Sequence, residues 1–108
     1  MGIVEYIVAT VSTEKRVDAS LVSYTMYRAI NRVERSLIRT DADEVTYNLH
    51  VCLRFEIERD LIAGAIEVAD VPRVWNEKMS ASLGVVPPND AEGCLQDVHW
   101  SFGGIGYF

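Results

Sequence analysis

The chain has 108 residues, of which 49% are apolar, so it is long enough for one domain with a hydrophobic core. Its 16 acidic and 10 basic residues give a net charge of −6, and no basic cluster is longer than a pair. This balance argues against nucleic acids and acidic membrane surfaces as partners, because both are bound mainly by lysine and arginine.

The first residues of the chain predict a short strand. Residues 3–12 are rich in β-branched and aromatic side chains, and the polar run at residues 12–16 ends them as a loop would. The longest uncharged apolar stretch, within residues 7–11, is far shorter than the roughly 20 residues that a membrane-spanning helix requires. The N-terminus carries no signal for secretion or lipidation, so we expect a cytoplasmic protein with no membrane partner.

A helix is predicted from residue 20 to about residue 35. Apolar residues recur there at steps of three and four, which places them on one face of a helix. They are Val22, Met26, Ile30, Val33 and Leu37. Ser20 or Asp18 is a plausible cap for the first turn.

Residues 43–63 carry two conflicting patterns. Apolar and polar residues alternate almost perfectly, as in a half-buried strand. The apolar positions are Val45, Tyr47, Leu49, Val51, Leu53, Phe55 and Ile57. This run is long for a strand, Asp41 and Glu44 resemble a capping box, and Gly64 follows as a stop signal. The residues alone therefore leave a strand and a buried helix both open.

Another helix is predicted over residues 70–84. Asp70 can cap it, Pro72 suits its first turn, and Gly84 is placed to end it. Its apolar stripe consists of Val71, Trp75, Met79 and Leu83.

The glycine-rich C-terminal stretch places Asp97 two residues before His99, which Trp100 follows directly. An aspartate can orient an imidazole, and an imidazole that titrates near neutral pH can donate to an oxyanion or transfer a proton. A histidine that only hydrogen-bonds the backbone of a glycine-rich turn fits the same residues. Both interpretations stay open at this point.

Arg39 follows an apolar pair and precedes Asp41 and Asp43. Its guanidinium is a rigid fork that matches a carboxylate, so it could bind the C-terminus of a peptide. An internal salt bridge to Asp41 or Asp43 would explain the same pattern.

Cys52 and Cys94 both have apolar neighbours, which predicts two buried free thiols. Combining them with His50 and His99 gives a nominal metal site, but the ligand pairs mix residue types at spacings that structural zinc sites do not favour. We therefore expect no zinc site there.

Two motifs connect the sequence to a known family. Residues 38–43 match the motif I-R-x-x-A-D, and residues 93–100 match G-x-x-Q-D-x-H-W. Over about residues 24–108 the chain resembles the Taq-type zinc metallocarboxypeptidases, the M32 family, whereas residues 1–20 look unlike that family. The resemblance implies a mainly α, zincin-like fold, of which residues 1–108 form a single partial domain, and it favours the helix over residues 43–63.

The resemblance also implies an activity, the removal of C-terminal amino acids from peptides. Arg39 would hold the free carboxylate of the peptide, His99 would lie beside the scissile carbonyl, and Tyr107 would donate to the oxyanion. The supporting residues would be Asp43, Gln96, Asp97 and Trp100.

The metal-binding H-E-x-x-H motif of that family does not occur here, since His50 and His99 are the only histidines. Zinc is therefore expected in the complete family enzyme and not in this chain, which we expect to be inactive alone. Helices that pack inside a larger enzyme would leave the stripe of Val71, Trp75 and Met79 uncovered, which predicts a homo-oligomer. The alternative is an inactive helical oligomerisation or binding module.

Overall fold

The computed structural model of the chain describes residues 19–108. They fall in two compact units, one that ends at Arg32 and one that spans Val33–Phe108. The strand predicted for residues 3–12 lies outside the described residues. The described part contains three α-helices and short 3₁₀ turns without a strand, so the prediction of a mainly α fold is confirmed.

Helix α1, Ala19–Ile30, belongs to the first unit and has no fully buried residue. It is shorter than the sequence predicts, because Val33 and Leu37 of the expected apolar face lie beyond its end. Asn31 follows the last helical residue, and its side-chain amide donates to the carbonyl of Tyr27 at 2.8 Å. The backbone N–H of Asn31 donates to the same carbonyl at 3.0 Å, so the side chain adds a second bond at the last turn of the helix.

Helix α2, Tyr47–Ile62, occupies the stretch whose sequence pattern was ambiguous. Its buried positions follow the helical spacing of three and four, and they are His50, Leu53, Arg54, Ile57 and Glu58. Of the seven alternating apolar residues, only Leu53 and Ile57 are buried, so the alternation does not describe the buried face. Asp43, rather than the predicted pair of Asp41 and Glu44, binds the backbone before the first turn.

Helix α3, Val71–Leu83, matches its prediction closely. Pro72 lies in its first turn, and Gly84 ends it in the left-handed region at φ +68°. The Gly84 N–H donates to the carbonyls of Met79 and Ser80, and a Cβ at Gly84 would lie 2.8 Å from the guanidinium of Arg35. Glycine therefore meets two requirements there, a positive φ and a close approach by another side chain.

The hydrophobic core of the second unit lies where α2 packs against α3. Its buried members are Leu53, Ile57, Val71, Val74, Trp75, Met79, Leu83 and Cys94. The expectation that Val71, Trp75 and Met79 are uncovered is therefore wrong, because α2 and the residues after α3 already cover this stripe. No described helix is long and apolar enough to cross a membrane.

The two cysteines differ in their exposure. Both are free thiols, and Cys94 is buried in the core as expected. Cys52 is exposed, so the prediction of its burial is wrong. It lies outside the buried face of α2, and its apolar sequence neighbours did not reveal this.

Candidate functional site

Gln96 joins the two motifs that the sequence analysis singled out. Its side-chain Oε1 accepts from the backbone N–H of Arg39 at 3.1 Å, and its Nε2 donates to the carbonyl of Leu37 at 3.1 Å. The same Nε2 is also 3.1 Å from the carbonyls of Glu92 and Gly93. One partly buried amide thus fixes the Arg39 segment against the C-terminal stretch.

Arg54 lies directly behind this junction, and its side chain is completely buried. It donates from Nε to Asp97 Oδ2, from Nη1 to the carbonyl of His50 at 2.8 Å and from Nη2 to Gln96 Oε1 at 2.9 Å. Its guanidinium also lies 4.7 Å from the centre of the Trp75 ring. Burial lowers the pKa of Arg54, and the bond to Asp97 acts in the opposite direction.

Arg39 presents a guanidinium that is partly accessible, with 20% of its side chain exposed. Its Nη1 donates to the Tyr47 hydroxyl at 2.8 Å, and its Nε lies 4.0 Å from Asp97 Oδ1. That Nε has no hydrogen-bond partner within the described residues. The carboxylate beside Arg39 is Asp97, rather than the Asp41 or Asp43 of the alternative interpretation.

Asp43 organises the backbone at the start of α2. Its Oδ1 accepts from the N–H groups of Val45 and Thr46, both at 2.9 Å, and its Oδ2 accepts from the N–H of Glu34 at 2.8 Å. The bond from Glu34, followed by the bond from Thr46, lowers the pKa of Asp43. Asp43 therefore supports the Arg39 segment through the backbone on both sides of it.

Acid should destabilise the protein in part through Asp43. Because the pKa of Asp43 is lower in the folded chain than its ordinary value of 3.8, its ionised form adds stability above that value. This contribution is lost as the pH falls through 3.8 towards the lowered folded pKa. We expect Asp43→Asn to melt at a lower temperature than wild type at neutral pH, with the difference shrinking in acid. Melting curves between neutral pH and acid measure this, Glu44→Gln is the matched control, and a difference that stays constant with pH would contradict it.

His99 lies beside a second buried carboxylate, that of Glu58. The Nε2 of His99 is 3.4 Å from Glu58 Oε1, and only 4% of His99 is exposed. Glu58 accepts from the indole N–H of Trp100 at 2.7 Å and from the Gly106 N–H at 2.6 Å. Glu58 therefore takes the place beside His99 that the sequence suggested for Asp97, whose partners are arginines.

Aromatic rings surround the imidazole of His99. The ring centres of Trp100, Tyr107 and Phe108 lie 5.3, 6.2 and 6.3 Å from it. Trp100 also packs edge-to-face on Trp75, at 5.9 Å, which ties this group to the core. Tyr107 is 73% exposed, so its hydroxyl is accessible near a histidine that is itself almost covered.

Sequence reasoning missed Arg54 and Glu58, the two groups that hold the site from α2. A signal was present, because His50, Arg54 and Glu58 recur every four residues beside Leu53 and Ile57. Polar residues at the spacing of a core face indicate buried groups that need partners from elsewhere in the chain.

The described residues do not fit a catalytic metal centre. Residues 19–108 contain no group of three His, Cys, Asp or Glu side chains placed to hold an ion. Catalytic zinc requires three protein ligands and an open position for water. His50 is buried, and burial, followed by the charges of Arg54 and Arg39, lowers its pKa.

Comparisons with known proteins agree on one family. The family model for carboxypeptidase Taq (M32) metallopeptidases matches residues 4–108. The chain is similar to Carboxypeptidase 1 of Bacillus subtilis, with 51% identity over 75% of this chain and 16% of that protein. It is also similar to Thermostable carboxypeptidase 1 of Thermus thermophilus, with 48% identity over 84% of this chain and 18% of that protein.

A solved structure supports the same relation. Trypanosoma cruzi metallocarboxypeptidase 1 superposes with a TM-score of 0.76 at 59% identity, over 84% of this chain and 19% of that one. The chain therefore spans less than a fifth of the length of these relatives.

Proposed function

Because the chain belongs to the carboxypeptidase Taq (M32) metallopeptidase family, we propose that it is the part of a metallocarboxypeptidase that holds the C-terminal carboxylate of a peptide substrate. The observation that carries this proposal is the state of Arg39. Its side chain is partly exposed although its Nε is buried, and its backbone is fixed by Gln96. Such a cation is held in place yet available to a new anion.

The neighbours of Arg39 favour a carboxylate as its ligand. The Tyr47 hydroxyl accepts from Arg39, which leaves its own proton free to donate to the same anion. The aromatic ring of Tyr47, 5.9 Å from the guanidinium, shields one side of it from water. A free peptide C-terminus offers two oxygens that can accept from the arginine fork, and one of them can also accept from the phenol.

In a complete enzyme, His99 and Tyr107 would act at the scissile carbonyl. Tyr107 would donate its exposed hydroxyl to the oxyanion, and His99, beside Glu58, would donate or transfer a proton. Asp43, Gln96, Asp97 and Trp100 would support these groups through the contacts described above. Zinc, bound by ligands outside the described residues, would polarise the carbonyl and activate water.

A chimaeric enzyme tests this proposal. Residues 24–108 would replace the matching segment of Bacillus subtilis Carboxypeptidase 1, and we expect the product to cleave peptides with a free C-terminus but not their C-terminal amides. The isolated chain, with zinc added, should release no C-terminal residue, and chelator-sensitive release by the isolated chain would contradict this. A folded, metal-loaded chimaera that cleaves acids and amides equally would overturn the carboxylate site.

A second candidate function is an inactive module that forms homo-oligomers or binds a partner. Exposed apolar side chains on α2, among them Phe55 at 59% and Ile62 at 71%, favour it, because such residues often mark association surfaces. A stable dimer by light scattering, together with an inactive chimaera, would favour this function over the first.

A further inference from the structure

We propose that Arg54 keeps Arg39 available to a carboxylate by binding Asp97, which would otherwise bind Arg39 itself. The inference rests on the proposed function, because it concerns how the same carboxylate site stays open. Arg54 is a positioning residue in this account, since it is fully buried and acts through Asp97 and Gln96.

Asp97 lies between the two arginines and contacts them unequally. Its Oδ2 accepts from Arg54 Nε, whereas its Oδ1 stays 4.0 Å from Arg39 Nε, beyond hydrogen-bond distance. Asp97 is 8% exposed, so water contributes little to the solvation of its charge. Its negative charge is therefore balanced mainly by Arg54.

Removing the charge of Arg54 would change the partner of Asp97. A buried carboxylate without a partner is strongly unfavourable, and the Nε–H of Arg39 is already aimed at no other group within the described residues. A movement of about 1 Å would bring that N–H into hydrogen-bond range of Asp97. Arg39 would then be held by an internal anion and lost to a substrate.

Arg54 also contributes through Gln96. Gln96 Oε1 accepts from both Arg54 Nη2 and the backbone N–H of Arg39, so one oxygen joins the two arginines. This second contact is structural and does not depend on the charge of Asp97. If Arg54 acts through Asp97, neutralising Asp97 together with Arg54 should restore the affinity for the acid. If Arg54 acts only through Gln96, the affinity should stay low.

The experiment compares the isolated wild-type chain with R54M and R54M/D97N. The Nε–H signal of Arg39, assigned by its loss in R39K, is recorded by NMR. Binding of N-acetylphenylalanine is measured against its neutral amide. R73M, which removes an exposed arginine of α3, is the matched control.

In R54M we expect the Arg39 Nε–H signal to move downfield and exchange more slowly. The acid should bind at least about tenfold more weakly, as is typical when a close charge pair competes with a ligand. In R54M/D97N the signal should return towards its wild-type position and the acid should regain most of its affinity. R73M should match wild type.

An R54M signal at the wild-type position would overturn the inference. So would weak binding that persists in R54M/D97N, because Arg54 would then act only through Gln96. If R54M fails to fold, R54M/D97N can still be measured, because it leaves no buried charge unpaired. Its affinity for the acid then distinguishes the contribution of Arg54 through Asp97 from the contribution through Gln96. The proposed function would be contradicted if neither the wild-type chain nor the chimaera distinguished the acid from the amide. The Nε–H signal of Arg39 is recorded without any ligand, so it tests the inference separately.

Discussion

Replacing Arg39 by alanine in the chimaeric carboxypeptidase should lower kcat/KM by roughly 30-fold to several-thousand-fold. A charge-assisted contact to a substrate carboxylate persists into the transition state, and its loss typically costs about 2 to 5 kcal/mol. Arg39→Lys should recover little of this, because an ammonium cannot present two parallel N–H groups to one carboxylate.

The folded state should tolerate the loss of the Arg39 side chain. Gln96 binds the backbone N–H of Arg39, which remains in the alanine variant, and Asp97 keeps its bond to Arg54. Arg59→Ala, which removes an exposed arginine paired with Asp60, is the control for a general change of charge. Normal kinetics with a lowered melting temperature would mean that Arg39 is a structural residue and would defeat its assignment to the substrate.

Replacing His99 by alanine should lower kcat by about 10²- to 10³-fold while KM changes little. A group that donates to an oxyanion or transfers a proton acts mostly in the transition state, so its loss is seen in kcat. The contact with Glu58 at 3.4 Å and the aromatic rings around the imidazole would hold His99 for this purpose.

Because His99 is buried, its alanine variant also loses packing, and stability must be measured separately from rate. Kinetics should therefore be recorded well below the melting temperature, with the folded fraction determined by circular dichroism. Val98→Ala changes an exposed residue of the same turn and should leave kcat near wild type. If His99→Ala lowers only the melting temperature, the histidine is a structural core residue and the catalytic assignment fails.

Local sequence signals predicted α3 well, because its boundaries depend on residues within it or next to it. Pro72 favours the first turn and Gly84 supplies the left-handed end, whatever the rest of the chain does. The end of α1 was placed too late, since Val33 and Leu37 keep the apolar spacing of a helix beyond Ile30, where the helix ends.

Helix α2 could not be predicted from its own residues. Three of its five buried residues are polar, and the side chains that hydrogen-bond Arg54 and Glu58 come from residues more than 40 positions later in the chain. A search for apolar periodicity does not detect such a face. The alternation of apolar and polar residues therefore favoured a strand. Arg39 and Asp97 were singled out from the residues themselves and Gln96 through the family resemblance, whereas their contacts depend on the unrecognised Arg54.

The Gln96 contacts have a consequence for the order of folding. They join residues 57 and 59 positions apart, whereas α2 and α3 are near neighbours in sequence. Because closing a longer loop costs more chain entropy, we expect the α2–α3 pair to assemble before Gln96 reaches the Arg39 segment. In the native protein the same contacts would then open first, and the amide of Arg39 would exchange with solvent sooner than the amides of α2. The substrate side of the molecule would thus be the last part to form and the first to loosen.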